Sequence, residues 1–462
     1  MPIEAQPKKP LGLFQLVMIN VIAVDSIRTL PFSAVYGFSL VFFYLLAGLV
    51  FFFPTALVSA ELGTGWPNRG GIYVWVREAF GKRWSFLVIW LNWIYNVIWY
   101  PTIMALIAGT FAYLFDPSLA ANPRYMAAAV LFLFWAATGF HCFGMRAASW
   151  LSTAGALLGT IFPMLLIACL GLTWIVQGQP LQTSLSVTAL LPDKIDHTNI
   201  AFLTSVFFGL LGLEMAATHA AEMRNPARDY PRSLWIASLI ILATIILGSL
   251  AIAVVIPSRE LSLATGVIQA FAIFASQYQL PWLVPLIAVC VILGGLSNVG
   301  AWIIGPAKGL LVAAQDGSLP PFLAKLNRYD VPHRILLVQA TIVSGLCLLF
   351  LLLPAVNSSY WLLSVITAQL ALLVYVGLFA AALRLRQRQP HVKRSYHVPG
   401  GTKGIWTVCL LGMTSCATVM VLGFVPPADV PFQSIALYET LLIGGVVLAF
   451  ATPFCWRRLR KK

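Results

Sequence analysis

Two stretches of this chain set ionisable side chains inside long apolar runs. "VIAVDSIRTLP", residues 21–31, carries Asp25, Ser26, Arg28 and Thr29 ahead of Pro31. "FFGLLGLEMAATH", residues 207–219, carries Gly209, Gly212 and Glu214. Thirteen Leu, Ile, Val and Phe residues lie between 11 and 36. At a membrane-helix centre each contributes roughly −0.3 to −0.6 kcal/mol, while an Asp and an Arg cost about +2.5 to +3.5 each. These nearly cancel, so the charges need a wet cavity or partners inside a bundle. Two arrangements provide one. Asp25 and Arg28, spaced i, i+3, pair on one helix face. Alternatively the helix unwinds there, and its free N–H and C=O groups and both charges meet a zwitterion. Glu214 has no opposite charge in its own run. It is open to three roles: a proton-titrating site, an acceptor for a substrate amine, or a protonated carboxyl bonded to a broken helix. His219 and Glu222 belong further along, towards the inner mouth.

The elements that position these groups follow from composition. Of 462 residues, 60% are hydrophobic and only 10% charged, where a soluble domain carries about 25% charged residues. Apolar runs long enough to cross a bilayer occur near 11–36, 38–62, 84–115, 125–142, 148–176, 199–220, 232–256, 281–314, 334–354, 360–384, 404–424 and 434–456. The expectation is an all-α polytopic membrane protein with about twelve transmembrane helices. A β-barrel, with alternating strands of about ten residues, does not suit such runs. The lysines at 8 and 9 precede an apolar run that continues to Gly37 with no small-residue cleavage site, which reads as an uncleaved first helix.

The net charge of +14 does not point to nucleic acid, because of where it falls. Lys8, Lys9, Arg77, Lys82, Arg83, Arg146, Arg224, Arg328, the segment 386–403 and the C-terminal arginines and lysines occupy alternate connections. The other connections hold only Arg124, Lys194 and Arg259. By the positive-inside rule both termini are cytoplasmic, and anionic lipid is the natural partner of that charge. The stretch "RLRQRQPHVKRSYHVPGG", 384–401, reads as a solvated basic connection. Seven cysteines and six histidines are scattered without a CxxC or Cys/His spacing, so no disulfide, metal or other cofactor is expected.

No connection is long enough for a soluble domain. The expected divisions are a cytoplasmic N-terminus (1–10), spans 1–5 (11–176), spans 6–10 (199–384), a basic loop (385–403), spans 11 and 12 (404–456) and a cytoplasmic C-terminus (457–462). Spans 1 and 6 are both interrupted. An interruption repeated five spans later points to an inverted-repeat transporter with spans 1–5 and 6–10 as the repeats. Aromatics crowd "WLNWIYNVIWYP" (90–101), mostly as packing and interface anchors, with one or two walling a central path. Phe208, directly before the second break, is placed for a gate.

"YGFSLVFFYLLAGLVFFFPTALVSAELGTGWPNRGGIYVWVREAFG" (36–81) resembles the second-span signature of the glutamate/GABA antiporter family, within the amino acid–polyamine–organocation superfamily. "LGLEMAATHAAEMRNPARDYPRS" (211–233), "GAWIIGPAKGLLVAAQDGSLPP" (300–321) and "YHVPGG" (396–401) carry the same likeness, in order, from about residue 11 to 456. The resemblance implies a LeuT-like 5+5 inverted repeat with a midplane site between broken helices 1 and 6. It implies secondary transport of amino acids or their decarboxylated amines, commonly by exchange, across the inner membrane. Carried over by position, Val24, Asp25, Ser26, Ile27 and Arg28 line that site with Phe208, Gly209, Gly212 and Glu214. Phe208 falls at an aromatic gate, and Glu214 at a residue tied to gating or proton sensing.

Three departures bear on this. Span 1 has "VDSIR" in place of a glycine–serine–glycine break, so substrate contacts do not carry over. The span 5 lysine that replaces an ion in some members is Thr153 here, leaving protons or another coupling ion open. The chain stops at "CWRRLRKK", so pH gating by a long C-terminal plug is expected to be missing. The combined expectation is an amino acid exchanger working by alternating access, not an enzyme. The alternatives are a polyamine transporter, for example of putrescine, and a proton-coupled amino acid permease. No filter-like polar stripe argues for a channel, and no histidine cluster for a membrane enzyme. A nutrient sensor on the same fold differs only in lacking flux.

Overall fold

The computed structural model describes residues 12–67, 71–143, 155, 157–192, 197–214, 225–428 and 430–459, and these are helical with no strand. The chain begins with α1 (Leu13–Val24) and, after a break, α2 (Leu30–Ala34). There follow α3 (Gly37–Gly65), α4 (Ile72–Phe80), α5 (Lys82–Ala112), α6 (Pro123–Cys142) and α7 (Leu157–Val176). The second half holds α8 (His197–Gly209), α9 (Pro226–Ala253), α10 (Gly266–Gln277), α11 (Leu283–Gln315), α12 (His333–Leu352), α13 (Val356–Arg388), α14 (Gly401–Leu422) and α15 (Ile435–Leu459).

Among the described residues, eleven helical segments are long and apolar enough to cross a membrane. The sequence expectation was about twelve. The expected sixth span, 199–220, is not among the eleven: α8 ends at Gly209, and residues 215–220 lie outside the described residues. Two further helices, α4 and α10, fold within stretches that the sequence left as connections.

Local sequence explains several irregularities. α3 holds a π-helical stretch, Gly48–Phe52, and α7 opens on another, Leu157–Ile161. Each is followed within two residues by a proline, Pro54 or Pro163. Proline has no N–H for the normal i→i−4 bond and its ring crowds the preceding turn, which the wider turn accommodates.

The bundle is built around α5 and α13. In each, 83% of the most apolar window is buried, against 17% for α15 and 28% for α6 and α14. α5 packs against α11 and α13, and α1 against α9. Large apolar side chains such as Leu49, Phe132, Val176 and Leu448 are exposed on the outer faces, as expected where the surrounding solvent is hydrocarbon.

The basic segment after α13 is not simply solvated, contrary to the sequence expectation. Lys393 and His391 are exposed, but Arg394 and Val398 are buried. Glu61, buried in α3, takes Arg386 Nη1 at 2.6 Å and Arg394 Nε at 3.5 Å on Oε1, and the Val398 N–H at 2.8 Å on Oε2. Arg394 also donates to the carbonyls of Leu385 and Gln389 and lies over the Trp66 ring. Burial lowers the Arg394 pKa from its ordinary value, with Glu61 opposing that shift and Arg386 adding to it. A guanidinium nonetheless stays charged. The segment is tied down because a buried carboxylate needs paired donors.

Candidate functional site

The first span breaks where its sequence turns polar. α1 stops at Val24, and Asp25 (φ −68°, ψ 122°) and Ser26 (φ −141°, ψ 120°) are extended. The Asp25 N–H still closes the last helical bond on Val21 O at 2.7 Å. A 3₁₀ turn, Ile27–Thr29, then restarts the chain, with Thr29 donating from both its N–H and its hydroxyl to Ser26 O. Pro31 falls in the first turn of α2, where a missing N–H costs little. In one continuous helix the same proline would have to bond the carbonyl of Ile27, which it cannot.

The sixth span breaks at its glycines. Leu210 and Leu211 close tight i→i−3 turns on Phe207 and Phe208 at the end of α8. Gly212 then adopts φ +112°, and a Cβ there would stand 2.9 Å from Ala23 O, so the two breaks touch through glycine. The Gly212 N–H donates to the Tyr375 hydroxyl at 2.6 Å, and that hydroxyl donates to Glu214 Oε2. Tyr375 of α13 thus bridges a freed backbone donor and the Glu214 carboxylate, using both functions of a phenol.

Between the breaks lies a cavity of about 80 Å³, lined by Val24, Asp25, Ser26, Arg28, Phe208 and Gly212 from the expected set. That volume holds several waters or a small ligand. α5 adds Tyr95, Asn96 and Trp99, α11 adds Asn298 and Trp302, and α13 adds Thr367. Asp25 and Arg28 are both buried, yet among the described residues no ion pair joins them. Thr244 of α9 donates to Asp25 Oδ2 at 2.7 Å, and Asp25 Oδ1 has no hydrogen-bond partner. Arg28 Nη1 donates to Ser364 Oγ of α13 at 3.4 Å, and its guanidinium carbon stands 4.6 Å from the Phe208 ring centroid. Arg28 Nε is likewise without a partner.

The remaining expected residues lie elsewhere. Ile27 and Gly209 are buried beside the cavity without lining it, Gly209 facing Tyr44 and Thr29. Glu214 is spent on Tyr375 and does not line the cavity. Thr153, His219 and Glu222 lie outside the described residues. Of the aromatic run, Tyr95 and Trp99 line the cavity, while Trp90, Trp93 and Tyr100 do not. Sequence reasoning missed Asn96 and Asn298. Each is an amide in an otherwise apolar span, a signal that could have found them. Thr244 and Thr367 gave no such signal, since a threonine satisfies itself on its own helix.

Residues 11–448 match the profile of the amino acid permease family. The chain belongs to that family. An uncharacterized transporter of Legionella pneumophila is 50% identical to this permease over 98% of the chain and 97% of the relative. A glutamate/gamma-aminobutyrate antiporter of Lactococcus lactis subsp. cremoris is 30% identical over 98% of the chain and 92% of its own. A probable agmatine/putrescine antiporter of Lactococcus lactis subsp. lactis is 25% identical over 85% and 83%. The permease is thus a multi-pass membrane protein among transporters of small molecules, not enzymes.

Proposed function

We propose that the permease exchanges carboxylate-bearing amino acids by alternating access, with the cavity between the two breaks as its substrate site. One observation carries this reading. Two opposite charges, Asp25 and Arg28, line one cavity, are not joined to each other, and each keeps an unpartnered polar atom. Buried charges are tolerated only when partnered, and a zwitterion supplies both partners at once. Its ammonium meets Asp25 Oδ1 and its carboxylate meets Arg28. Ser26 and the open carbonyls at the break assist the ammonium, and Phe208 closes over the bound molecule. Glu214, through Tyr375, couples the state of the span 6 break to that closure, with protons as candidate coupling ions.

The diamine alternative is disfavoured by the same groups. A diamine asks for two free carboxylates, and Glu214 is bonded to Tyr375 while Arg28 repels a second ammonium. The rest of the reading is a LeuT-like arrangement of repeats 11–176 and 199–384, both termini cytoplasmic, in the inner membrane. The alternate placement of basic residues supports that orientation.

Counterflow in proteoliposomes tests the proposal. Vesicles are loaded in turn with glutamate, γ-aminobutyrate, other amino acids and putrescine, and uptake of the labelled compound is followed without an ion gradient. Uptake that depends on an internal amino acid, with putrescine inert, is the expected result. Exchange of putrescine alone would assign the site to diamines. Saturable binding without flux for every compound would make the protein a sensor.

A further inference from the structure

A second cavity, about 150 Å³, lies away from the substrate site, between α5, α11, α12 and α15. Its walls include Trp90, Trp93, Leu310, Leu323, Ile335 and Pro453. The polar side-chain atoms of the walls are already committed, while Gln339 Nε2, outside the lining, is buried without a partner. Trp90 Nε1 donates to Ala449 O at 2.8 Å, Trp93 Nε1 to Gln339 Oε1 at 3.2 Å, and the Thr452 hydroxyl to Leu448 O at 2.6 Å. Nothing in these walls binds a polar solute, and an apolar cavity does not hold water. Leu337 and Phe454, chain neighbours of the wall residues Val338 and Pro453, are exposed on the lipid-facing side.

The rim is basic. Arg334, next to Ile335, donates from Nη1 to Phe322 O at 3.3 Å, which holds its guanidinium beside Leu323, and its other donors have no partner among the described residues. Lys82 and Arg83 are exposed where α5 begins. Lys325 and Arg328 are exposed on the α11–α12 connection, as are Asp316 and Asp330. We infer that this cavity takes a short segment of one acyl chain of an anionic phospholipid from the surrounding bilayer, with the phosphate on the Arg334 side. The dry walls select a hydrocarbon chain, and the rim selects a negative headgroup.

Native mass spectrometry of the full chain, with phosphatidylglycerol or phosphatidylcholine of matched chains, decides the matter. The wild type is expected to retain one phosphatidylglycerol in preference to phosphatidylcholine. Filling the cavity with Ile342→Trp, or with Val338→Phe should the first fail to fold, is expected to abolish that adduct. Arg334→Gln is expected to lower the preference for phosphatidylglycerol about fivefold, the effect of one basic side chain at an anionic surface. Undiminished phosphatidylglycerol on the filled variants would overturn the inference, as would equal retention of both lipids by the wild type. So would a filled variant that loses a dimer instead of a lipid, since the occupant would then be a second copy of the chain.

Discussion

Arg28 is held on two sides, by Ser364 and by the Phe208 ring, and still keeps Nε without a partner. A cation fixed in this way is preorganised for a carboxylate, because little side-chain freedom is lost on binding. Arg28→Ala is expected to raise the half-saturation concentration for a carboxylate-bearing substrate roughly 10- to 100-fold, the value of one or two charge-assisted hydrogen bonds. The effect is read as the concentration dependence of counterflow, beside a purely amine competitor whose inhibition should not weaken. Unchanged affinity for the carboxylate substrate would remove Arg28 from recognition. The neighbouring Asp25 cannot be read in isolation: Thr244 fixes one of its oxygens and leaves the other without a partner.

At the scale of elements, the site depends on two helices that stop where continuous helices would leave no free backbone. α1 and α8 end within contact of one another, and Gly212 is where they touch. Its φ of +112° and the nearby Ala23 carbonyl both exclude a side chain. Gly212→Ala is expected to destabilise the fold by about 1–3 kcal/mol through backbone strain, and to abolish flux by pushing the breaks apart. Gly209→Ala is the internal control, since its Cβ would meet Tyr44 and Thr29 at 3.4 and 3.5 Å, near-ordinary contacts. Thermal unfolding of the purified variants, measured beside counterflow, should rank Gly212→Ala well below Gly209→Ala. Equal behaviour would show that the contact between breaks does not matter.

For the whole molecule, Glu61 joins parts of the chain more than 300 residues apart. It ties the end of α3 to the end of α13 and to the segment that leads into α14. Breaking a buried ion pair leaves one charge unpaired in low dielectric, at a typical cost of about 3–5 kcal/mol. Glu61→Gln is therefore expected to lower the thermal unfolding midpoint clearly. Glu78→Gln, which removes an exposed pair with Arg77 at 3.7 Å, should change stability by about 1 kcal/mol or less. Similar midpoints for the two variants would show the Glu61 network to be solvated in practice.

The sequence alone determined that this chain spans a membrane, and it marked the breaks in spans 1 and 6. Composition, run length and misplaced polar residues are local properties, and bilayer thickness and backbone chemistry act on them directly. Val24, Asp25, Ser26, Arg28, Phe208 and Gly212 line one cavity, a meeting that the family resemblance implied and those local properties did not. The tertiary structure decided what those residues face. Whether Asp25 pairs with Arg28 or with Thr244, whether Glu214 opens to the cavity or bonds Tyr375, and whether Arg394 is solvated or locked on Glu61 are settled by residues far along the chain. No local pattern records those meetings. They follow from how the helices pack around α5 and α13, which is where each buried charge finds its partner.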